Sequence, residues 1–446
     1  MNSSTSEAPR LTLDLGAKLS VMMFLQYAIW GAWLPFLWSF LSTHRGMEPG
    51  EIGDMFAVGA VGAIIGPFFA GQVADRFFST EKFLGISHII GAVLVWQLAT
   101  IESYRGFLIF SLIYGLVYAP TLSLTNSLAF HHLPDRDRDF GVVRLFGTLG
   151  WIVVGLAMGH WLALMHSPEG VGENEAIAAL AAGKADAFRL SAILGVAMGI
   201  YCFFLPHTPP SKGEQKNATF EALGEIRLQP LVTLFFLAVP VSCIHQFYFV
   251  HTETFLSAKQ LAAPEWTKVI FGAGGGGLMT VGQMSEILVL FLIPMVAKVM
   301  SRKLLLALGL VAYAARMALF AYVDVLPLPA TFTLLSGVAL HGLCFGCFIF
   351  VAFMVVDEET STDVRASAQS LFNLVIIGIG IIVGSKLAGE AASLATSEST
   401  DAAGEVVSSL DYSLLFSYPM WASVACLVFL LIFYPARSPR RGDAAA

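Results

Sequence analysis

The sequence predicts an all-α membrane protein with about twelve helices that cross the bilayer. Of its 446 residues, 56% are hydrophobic and only 13% are charged. Soluble domains carry about 25% charged residues, so this composition excludes a soluble enzyme, a disordered scaffold and a nucleic-acid binder. The apolar stretches have the length of helices and are too long for the strands of a membrane barrel.

A polar segment divides the apolar stretches into six and six. The predicted spans are 17–41, 51–75, 83–101, 106–130, 141–165, 186–206, 228–256, 268–298, 303–323, 329–355, 365–390 and 411–435. Each is close to the ~20 residues that cross the hydrocarbon core as a helix. We therefore divide the chain into an N-terminal six-helix half (1–206), a linker (207–227), a C-terminal six-helix half (228–436) and a tail (437–446).

Basic residues are distributed unevenly between the two predicted membrane sides. Sixteen of the 25 Lys and Arg residues lie on the side of the linker and both termini. The other side holds five, which are Arg45, Arg105, Lys184, Lys259 and Lys268. Cytoplasmic loops carry the excess of Lys and Arg, so we expect the linker and both termini to be cytoplasmic.

The chain lacks the patterns that bind metals, cofactors or nucleic acids. Its net charge is −7, which offers no basic surface for phosphate backbones. Cys344 and Cys347 form a C-x-x-C on an apolar helix without a second pair, so buried cysteines are favoured over a zinc site. His131 and His132 precede the alternating charges of 134–139, which are typical of solvated ion pairs. We expect neither a metal nor a cofactor.

The connection between spans 2 and 3 carries a recognisable motif. Gly71, Asp75 and Arg76 form Gly-x-x-x-Asp-Arg, which resembles the signature of the major facilitator superfamily at this place. The resemblance implies two six-helix halves with a substrate site near the midplane between them. Glycine permits close helix approach, while the charged pair can latch one conformation, so we expect these three residues to act in gating.

Polar groups inside the apolar spans are the candidates for function, because an ionised side chain costs about 2.5–3.5 kcal/mol at the helix centre. Glu286 lies within span 8, with Gln283 three residues earlier on the same face. Arg144, Thr148 and Trp151 form one stripe of span 5. We interpret these residues as a polar substrate site with a titratable carboxylate. The structural alternative is that Arg144 and Glu286 only pair between the halves as a lock.

Other polar residues in or near the spans receive weaker interpretations. Spans 7 and 10 offer Gln246, Glu253 and His341. Asp54 is read as an anion that the helix dipole favours in the first turn of span 2. Arg316 and Asp324 are expected to anchor the end of span 9, and Lys386 to extend to the membrane interface. The glycines at 272 and 274–277 are not followed by the Lys-Ser/Thr of a phosphate loop. The remaining interpretation is that they allow close helix packing or flexibility at the start of span 8.

Six segments in chain order resemble the bacterial nucleoside:proton symporter family of this superfamily. They contain Phe24–Leu34, Pro120–Asn126, Arg144–Trp151, Gln283–Pro294, Arg316–Asp324 and Arg365–Gln369. The resemblance covers nearly the whole chain and implies proton-coupled import across the bacterial inner membrane.

The family's site pattern falls on particular positions of this chain. The substrate-binding residues that it implies are Arg144, Thr148, Trp151, Gln246, Gln283, Glu286, His341 and Phe345. Phe249, His341 and Gly346 stand where the pattern has an asparagine, a tyrosine and an aspartate. Losing an asparagine and an aspartate removes hydrogen-bonding capacity for a ribose or a base edge, so selectivity is expected to differ.

We therefore expect a monomeric inner-membrane symporter for nucleosides, surrounded by lipid, that works by alternating access. Aromatic side chains would stack on a flat base and glutamines would hydrogen-bond it. Glu286 and Arg144 would couple transport to protons. The alternative substrate is a sugar or another hydroxylated metabolite. A membrane sensor would need a soluble signalling domain, and a hydrolase would need an activated nucleophile with an oriented base.

Overall fold

The computed structural model describes residues 10–77, 79–168, 170–209, 219–361, 364–400 and 406–435. Twelve long helical segments, α1–α12, account for most of this part. They are α1 (Leu13–His44), α2 (Pro49–Phe77), α3 (Thr80–Leu98), α4 (Tyr104–His132), α5 (Arg136–Met165), α6 (Ala185–Cys202), α7 (Leu231–Gln260), α8 (Gly275–Val296), α9 (Arg302–Ala321), α10 (Ala330–Glu359), α11 (Ser367–Ala395) and α12 (Tyr412–Phe433).

Ten of these segments are long and apolar enough to cross a membrane, as judged over the described residues. The other two, α2 and α3, are continuous helices of 29 and 19 residues that pack within the same bundle. Several helices begin after an N-cap residue whose side chain accepts a hydrogen bond from a backbone N–H of the first turn. Examples are Thr12, Ser103 and Asp411. The predicted all-α architecture is confirmed.

Packing separates the helices into an N-terminal set (α1–α6) and a C-terminal set (α7–α12). Within the first set, α1 packs on α5 and α6, α2 on α4, and α3 on α4 and α6. Within the second, α7 packs on α11 and α12, α8 on α10, and α9 on α10 and α12. The sets meet where α1 contacts α7, α2 contacts α11 and α5 contacts α8.

Three helices depart from regular α geometry. α1 passes through a 3₁₀ turn at Leu34–Phe36, which contains Pro35, and ends in the π-helical segment Phe40–His44. α10 and α11 contain the π segments Cys344–Phe350 and Leu374–Ile379. Such π segments are frequent at functional sites, because an extra residue per turn re-aims the side chains around it.

The predicted start of span 8 at residue 268 is wrong. Residues Trp266–Phe271 form a separate short helix, and α8 begins at Gly275. Gly272 and Gly274 break the chain between them with φ of 73° and 84°, a conformation that glycine adopts at no steric cost. Gly272 also lies against the backbone of Gly159 in α5, which confirms close packing as a role of this glycine.

Small elements outside the twelve helices were not predicted. A helix at Glu173–Gly183 precedes α6, and another at Thr219–Ile226 lies in the linker. Between α11 and α12, Thr396–Thr400 (β1) and Val406–Leu410 (β2) form an antiparallel pair. Linker residues 210–218 and the tail 437–446 lie outside the described part, as do the side chains of Gly71, Asp75 and Arg76. The gating role of those three residues stays a prediction.

Candidate functional site: a polar cavity between two helix sets

A buried ion pair joins the two helix sets on the side opposite the linker. The Nζ atom of Lys184, just before α6, lies 2.9 Å from Oε1 of Glu253 on α7. Ser39 on α1 donates to Oε2 of the same carboxylate at 2.8 Å. Lys184 is 2% exposed and Glu253 is 0% exposed, so both charges have left water and depend on each other. Glu253 is therefore part of a contact between the sets, which we call the latch (Ser39, Lys184 and Glu253).

A second inter-set ion pair lies on the same side, between α2 and α11. Lys386 pairs with Asp54, which also accepts a hydrogen bond of 2.7 Å from the Tyr104 hydroxyl. Lys386 contacts a carboxylate, where an extension to the interface was expected. Asp54 has side-chain partners in addition to the helix dipole expected to favour it. Backbone contact brings the two helices together, since a Cβ on Gly53 would lie 2.9 Å from the Ser385 carbonyl oxygen.

The cavity side of the N-terminal set is lined by a cation and aromatic rings. The Arg144 guanidinium lies 3.9 Å from the centroid of the Tyr27 ring. Trp151, two turns along α5, packs edge-on against Trp30 of α1 with centroids 5.7 Å apart. Thr148 lies on the stripe between them and is partly exposed. The structure thus places all three predicted residues of α5 on one accessible face.

The C-terminal set presents Glu286 next to His341. Oε2 of Glu286 lies 3.5 Å from Nε2 of His341, and the Glu286 side chain is 16% exposed. Arg144 is close enough for its charge to act on Glu286, without a direct ion pair between them. The two predicted charged residues therefore lie near each other between the two helix sets. A closed lock between them is not formed.

Arg316 lies behind His341 and is fully buried. Its Nη1 atom is 3.1 Å from Nδ1 of His341, and its guanidinium lies over the rings of Tyr248 and Tyr313 at 4.3 and 5.1 Å. The expectation that Arg316 anchors the end of span 9 is wrong, because its charge points into the bundle. Asp324 does make an anchoring contact, with Lys259 at 2.5 Å.

Aromatic side chains surround this polar cluster. The His341 ring stacks on Tyr248 and on His245, with centroids 4.7 and 5.4 Å away. Phe249 lies 5.8 Å from the His341 ring and 6.3 Å from Trp151 of the other set, so it bridges the two sets. Phe345 lies 6.3 Å from His245 and is partly exposed. Apolar ring faces next to hydrogen-bonding groups suit a flat ligand with polar edges.

The two predicted glutamines lie in different environments. The Oε1 atom of Gln283 is buried and has no hydrogen-bond partner among the described residues. Gln246 donates to the Ser385 hydroxyl of α11 at 3.1 Å and is 7% exposed. Gln283 therefore keeps an unused acceptor on the helix that carries Glu286, whereas Gln246 is engaged between helices.

A cavity of about 470 Å³ lies at the linker end of α4, away from the residues above. It is lined by Ser123, Asn126, Ser127, Phe130, His131 and Arg136. Within the described residues, no group of His, Cys, Asp or Glu has the arrangement of a metal site. All of its lining residues belong to α4 and α5 of the N-terminal set.

Sequence reasoning missed several residues of the site. Lys184 was assigned only to a loop, and nothing near it in the chain points to a partner 69 residues away. His245 was overlooked although it lies in an apolar helix directly before the predicted Gln246, which was an available signal. Tyr27 lies on α1, where no site residue was predicted.

Two packed helix sets with charged and aromatic side chains meeting between them are the arrangement of a membrane transport protein. The chain matches the family model described as "Nucleoside H+ symporter" over residues 13–438. It belongs to this family, and its fold is of the all-α major facilitator type.

Named relatives and a solved structure are similar to the chain over most of its length. It is 34% identical to "Putative nucleoside transporter YegT" of Escherichia coli (strain K12) over 377 residues, covering 84% of this chain and 83% of the relative. It is 26% identical to "Nucleoside permease NupG" of the same strain over 394 residues, covering 86% and 89%. The "Crystal structure of nucleoside transporter NupG" superposes with a TM-score of 0.79 at 23% identity, covering 95% and 100%, and this likeness shows the fold.

Proposed function

We propose that the protein imports nucleosides across the bacterial inner membrane together with protons, with Glu286 as the group that binds and releases the proton. The observation that carries this proposal is the position of Glu286. It is a carboxylate inside an apolar bundle, partly exposed to the cavity and facing Arg144 of the other helix set. An ionisable residue inside a membrane bundle marks a proton or substrate pathway. Membership of a nucleoside H+ symporter family supports the substrate class.

The surrounding side chains suit a nucleoside better than a free sugar. Trp151, Phe249 and Phe345 offer ring faces on which a planar base can stack with its own π-system, whereas a saturated sugar ring presents only C–H groups to them. Gln283 supplies an unpaired acceptor, and Arg144 and Thr148 supply donors from the opposite set. The substrate passes through unchanged, and we propose a lipid-embedded monomer as the working unit.

Alternating access in this proposal is a motion of one helix set against the other. The moving halves are 1–206 and 228–436, joined by the linker 207–227, with 437–446 as a tail. Gly71, Asp75 and Arg76 are proposed to act in gating on the linker side. The latch and the Asp54–Lys386 pair hold the opposite side closed. Binding of protons and substrate shifts the populations of the two conformations.

We propose that the linker side faces the cytoplasm, so that the structure is closed toward the periplasm. Leu228 and Ala262 are exposed on opposite sides of the bundle. In a background without the five natural cysteines, Ala262→Cys should react with a membrane-impermeant thiol reagent in intact cells, and Leu228→Cys should react only after lysis. The reverse pattern would invert the orientation and the direction of proton coupling.

The altered positions are proposed to relax selectivity for the ribose. A site that hydrogen-bonds a hydroxyl rejects analogues without it, because its own polar groups are then left unpaired. Phe249 and Gly346 offer no such groups, so deoxynucleosides should compete with a labelled ribonucleoside within about tenfold of their ribo counterparts. Discrimination much greater than tenfold would contradict this proposal.

Restoring a carboxylate at position 346 tests the same idea. A Cβ on Gly346 would lie 2.6 Å from Cγ1 of Val289, so an aspartate needs added room. We therefore pair Gly346→Asp with Val289→Ala, and use Val289→Ala alone as the control. The double variant should discriminate more strongly against deoxynucleosides than the control. Equal discrimination would show that position 346 does not contact the ribose.

A further inference from the structure

We propose that Arg316 and His341 form a positioning chain that holds Glu286 as a carboxylate at the cavity wall, and that His341 does not itself carry the transported proton. This inference rests on the proposed symport function and specifies how the proton site is built. It starts from the three side chains in line, Arg316 on α9, His341 on α10 and Glu286 on α8.

The first contact fixes the tautomer of His341. Every hydrogen-bonding atom of a guanidinium is a donor. Because Nη1 of Arg316 lies 3.1 Å from Nδ1 of His341, Nδ1 must be the acceptor and carries no hydrogen. A neutral imidazole has one N–H, so the hydrogen of His341 is on Nε2. A doubly protonated ring would place an N–H against the Arg316 donors.

The second contact directs that hydrogen at Glu286. Nε2 of His341 lies 3.5 Å from Oε2 of the carboxylate, within contact distance and slightly longer than a formed hydrogen bond. An N–H aimed at a carboxylate favours its charged form. His341 is 1% exposed and Arg316 is 0% exposed, so water cannot replace either partner. Small movements of α8 would tighten or release this contact.

The charge of Arg316 needs a counter-charge in the interior. Among the described residues its Nε and Nη2 atoms have no hydrogen-bond partner, and its guanidinium lies over the ring faces of Tyr248 and Tyr313. The carboxylate that lies in line with it is Glu286, reached through His341. An ionised Glu286 therefore balances a cation that is otherwise buried among rings, while a protonated Glu286 leaves it unbalanced.

Other ionisable side chains lie around the Arg316–His341–Glu286 chain, on each helix that packs against it. They are Arg144 on α5, His245 and Tyr248 on α7, Tyr313 on α9 and Cys344 on α10. Arg144 acts on Glu286 from the cavity side, so Glu286 lies between two cations of different accessibility. A substrate can reach Arg144, which is partly exposed, but not Arg316. The Arg316–His341 chain thus stabilises the charged form of Glu286 whether or not a substrate is bound. The effect of Arg144 on Glu286 can change when a substrate binds.

The test is the dependence of proton-driven uptake on external pH in three variants. His341→Phe keeps a ring of similar shape and removes both nitrogens, so Glu286 should retain its proton to higher pH. The alkaline midpoint of uptake should then rise by about one pH unit. His341→Gln keeps an N–H donor and should stay within about 0.3 unit of the wild type.

The third variant, at Arg316, keeps the test valid if His341→Phe perturbs folding. Arg316→Gln removes the charge but keeps a donor for Nδ1, and should move the midpoint in the same direction as His341→Phe. An unchanged midpoint with lower uptake in both variants would mean a merely structural role and would overturn the proposal. Loss of all pH dependence in His341→Phe would show that His341 carries the proton. Absence of proton-driven uptake in the wild type would instead refute the proposed function.

Discussion

Replacing Glu286 by glutamine should abolish proton-driven accumulation of nucleoside while leaving exchange of internal for external substrate largely intact. Accumulation requires a group that binds a proton on one side and releases it on the other. Glutamine has nearly the same shape and hydrogen-bonds substrate, but it cannot titrate. The initial rate of accumulation should fall by more than about tenfold. The rate of exchange should change by only a few-fold.

The matched control is a carboxylate outside the proposed pathway. Glu265 is exposed on the side of the latch and, among the described residues, pairs with Lys268 one turn away. Glu265→Gln should accumulate nucleoside like the wild type. Both variants are measured in proteoliposomes with an imposed pH gradient and then with equal nucleoside on both sides. If Glu286→Gln still accumulates substrate with normal pH dependence, another group carries the proton.

Breaking the latch should destabilise the conformation that is closed on the latch side. Removing one partner of a buried ion pair leaves an uncompensated charge and costs about 3–5 kcal/mol. Lys184→Met leaves the Glu253 charge without its cation, so the conformation open on the latch side should gain population and uptake should fall by more than about tenfold. Thr280→Cys reports the change, because Thr280 is 1% exposed on α8 and contacts α5 at Gly155. Its labelling by an impermeant thiol reagent should increase in the Lys184→Met background.

Two comparisons distinguish the latch from a general loss of stability. Replacing both charges, in Lys184→Met with Glu253→Gln, removes the stranded charge and should restore part of the uptake. Lys268→Met, in the exposed Glu265–Lys268 pair on the same side, should change uptake little because such surface pairs contribute about 0–1 kcal/mol. Unchanged labelling of Thr280→Cys in the Lys184→Met background would exclude the latch as a determinant of closure.

The helices were predictable because their cause is local. Runs of about twenty apolar residues must satisfy their backbone hydrogen bonds internally in a membrane, and only helices do so within one segment. The positions of Arg144 and Glu286 were predictable for a related reason, since an ionised side chain in such a run is costly and is retained for function. Both statements need only the residues of one span.

Pairings between distant segments were not predictable in the same way. Lys184 and Glu253 are 69 residues apart, and only the packing of the two helix sets brings them together. Arg316 was placed near a helix end by its distance from Asp324, but the direction of its side chain depends on where His341 lies on α10. The start of α8 was missed because two glycines with positive φ interrupt a run that is apolar throughout.

Proton-coupled nucleoside import is tested by uptake into proteoliposomes that contain the purified protein, measured with labelled nucleosides and labelled sugars with and without an inward proton gradient. Nucleosides should accumulate only when the gradient is present. Addition of external nucleoside should acidify the lumen, and the sugars should not be taken up. Sugar uptake without nucleoside uptake, or nucleoside accumulation indifferent to the gradient, would contradict proton-coupled nucleoside import.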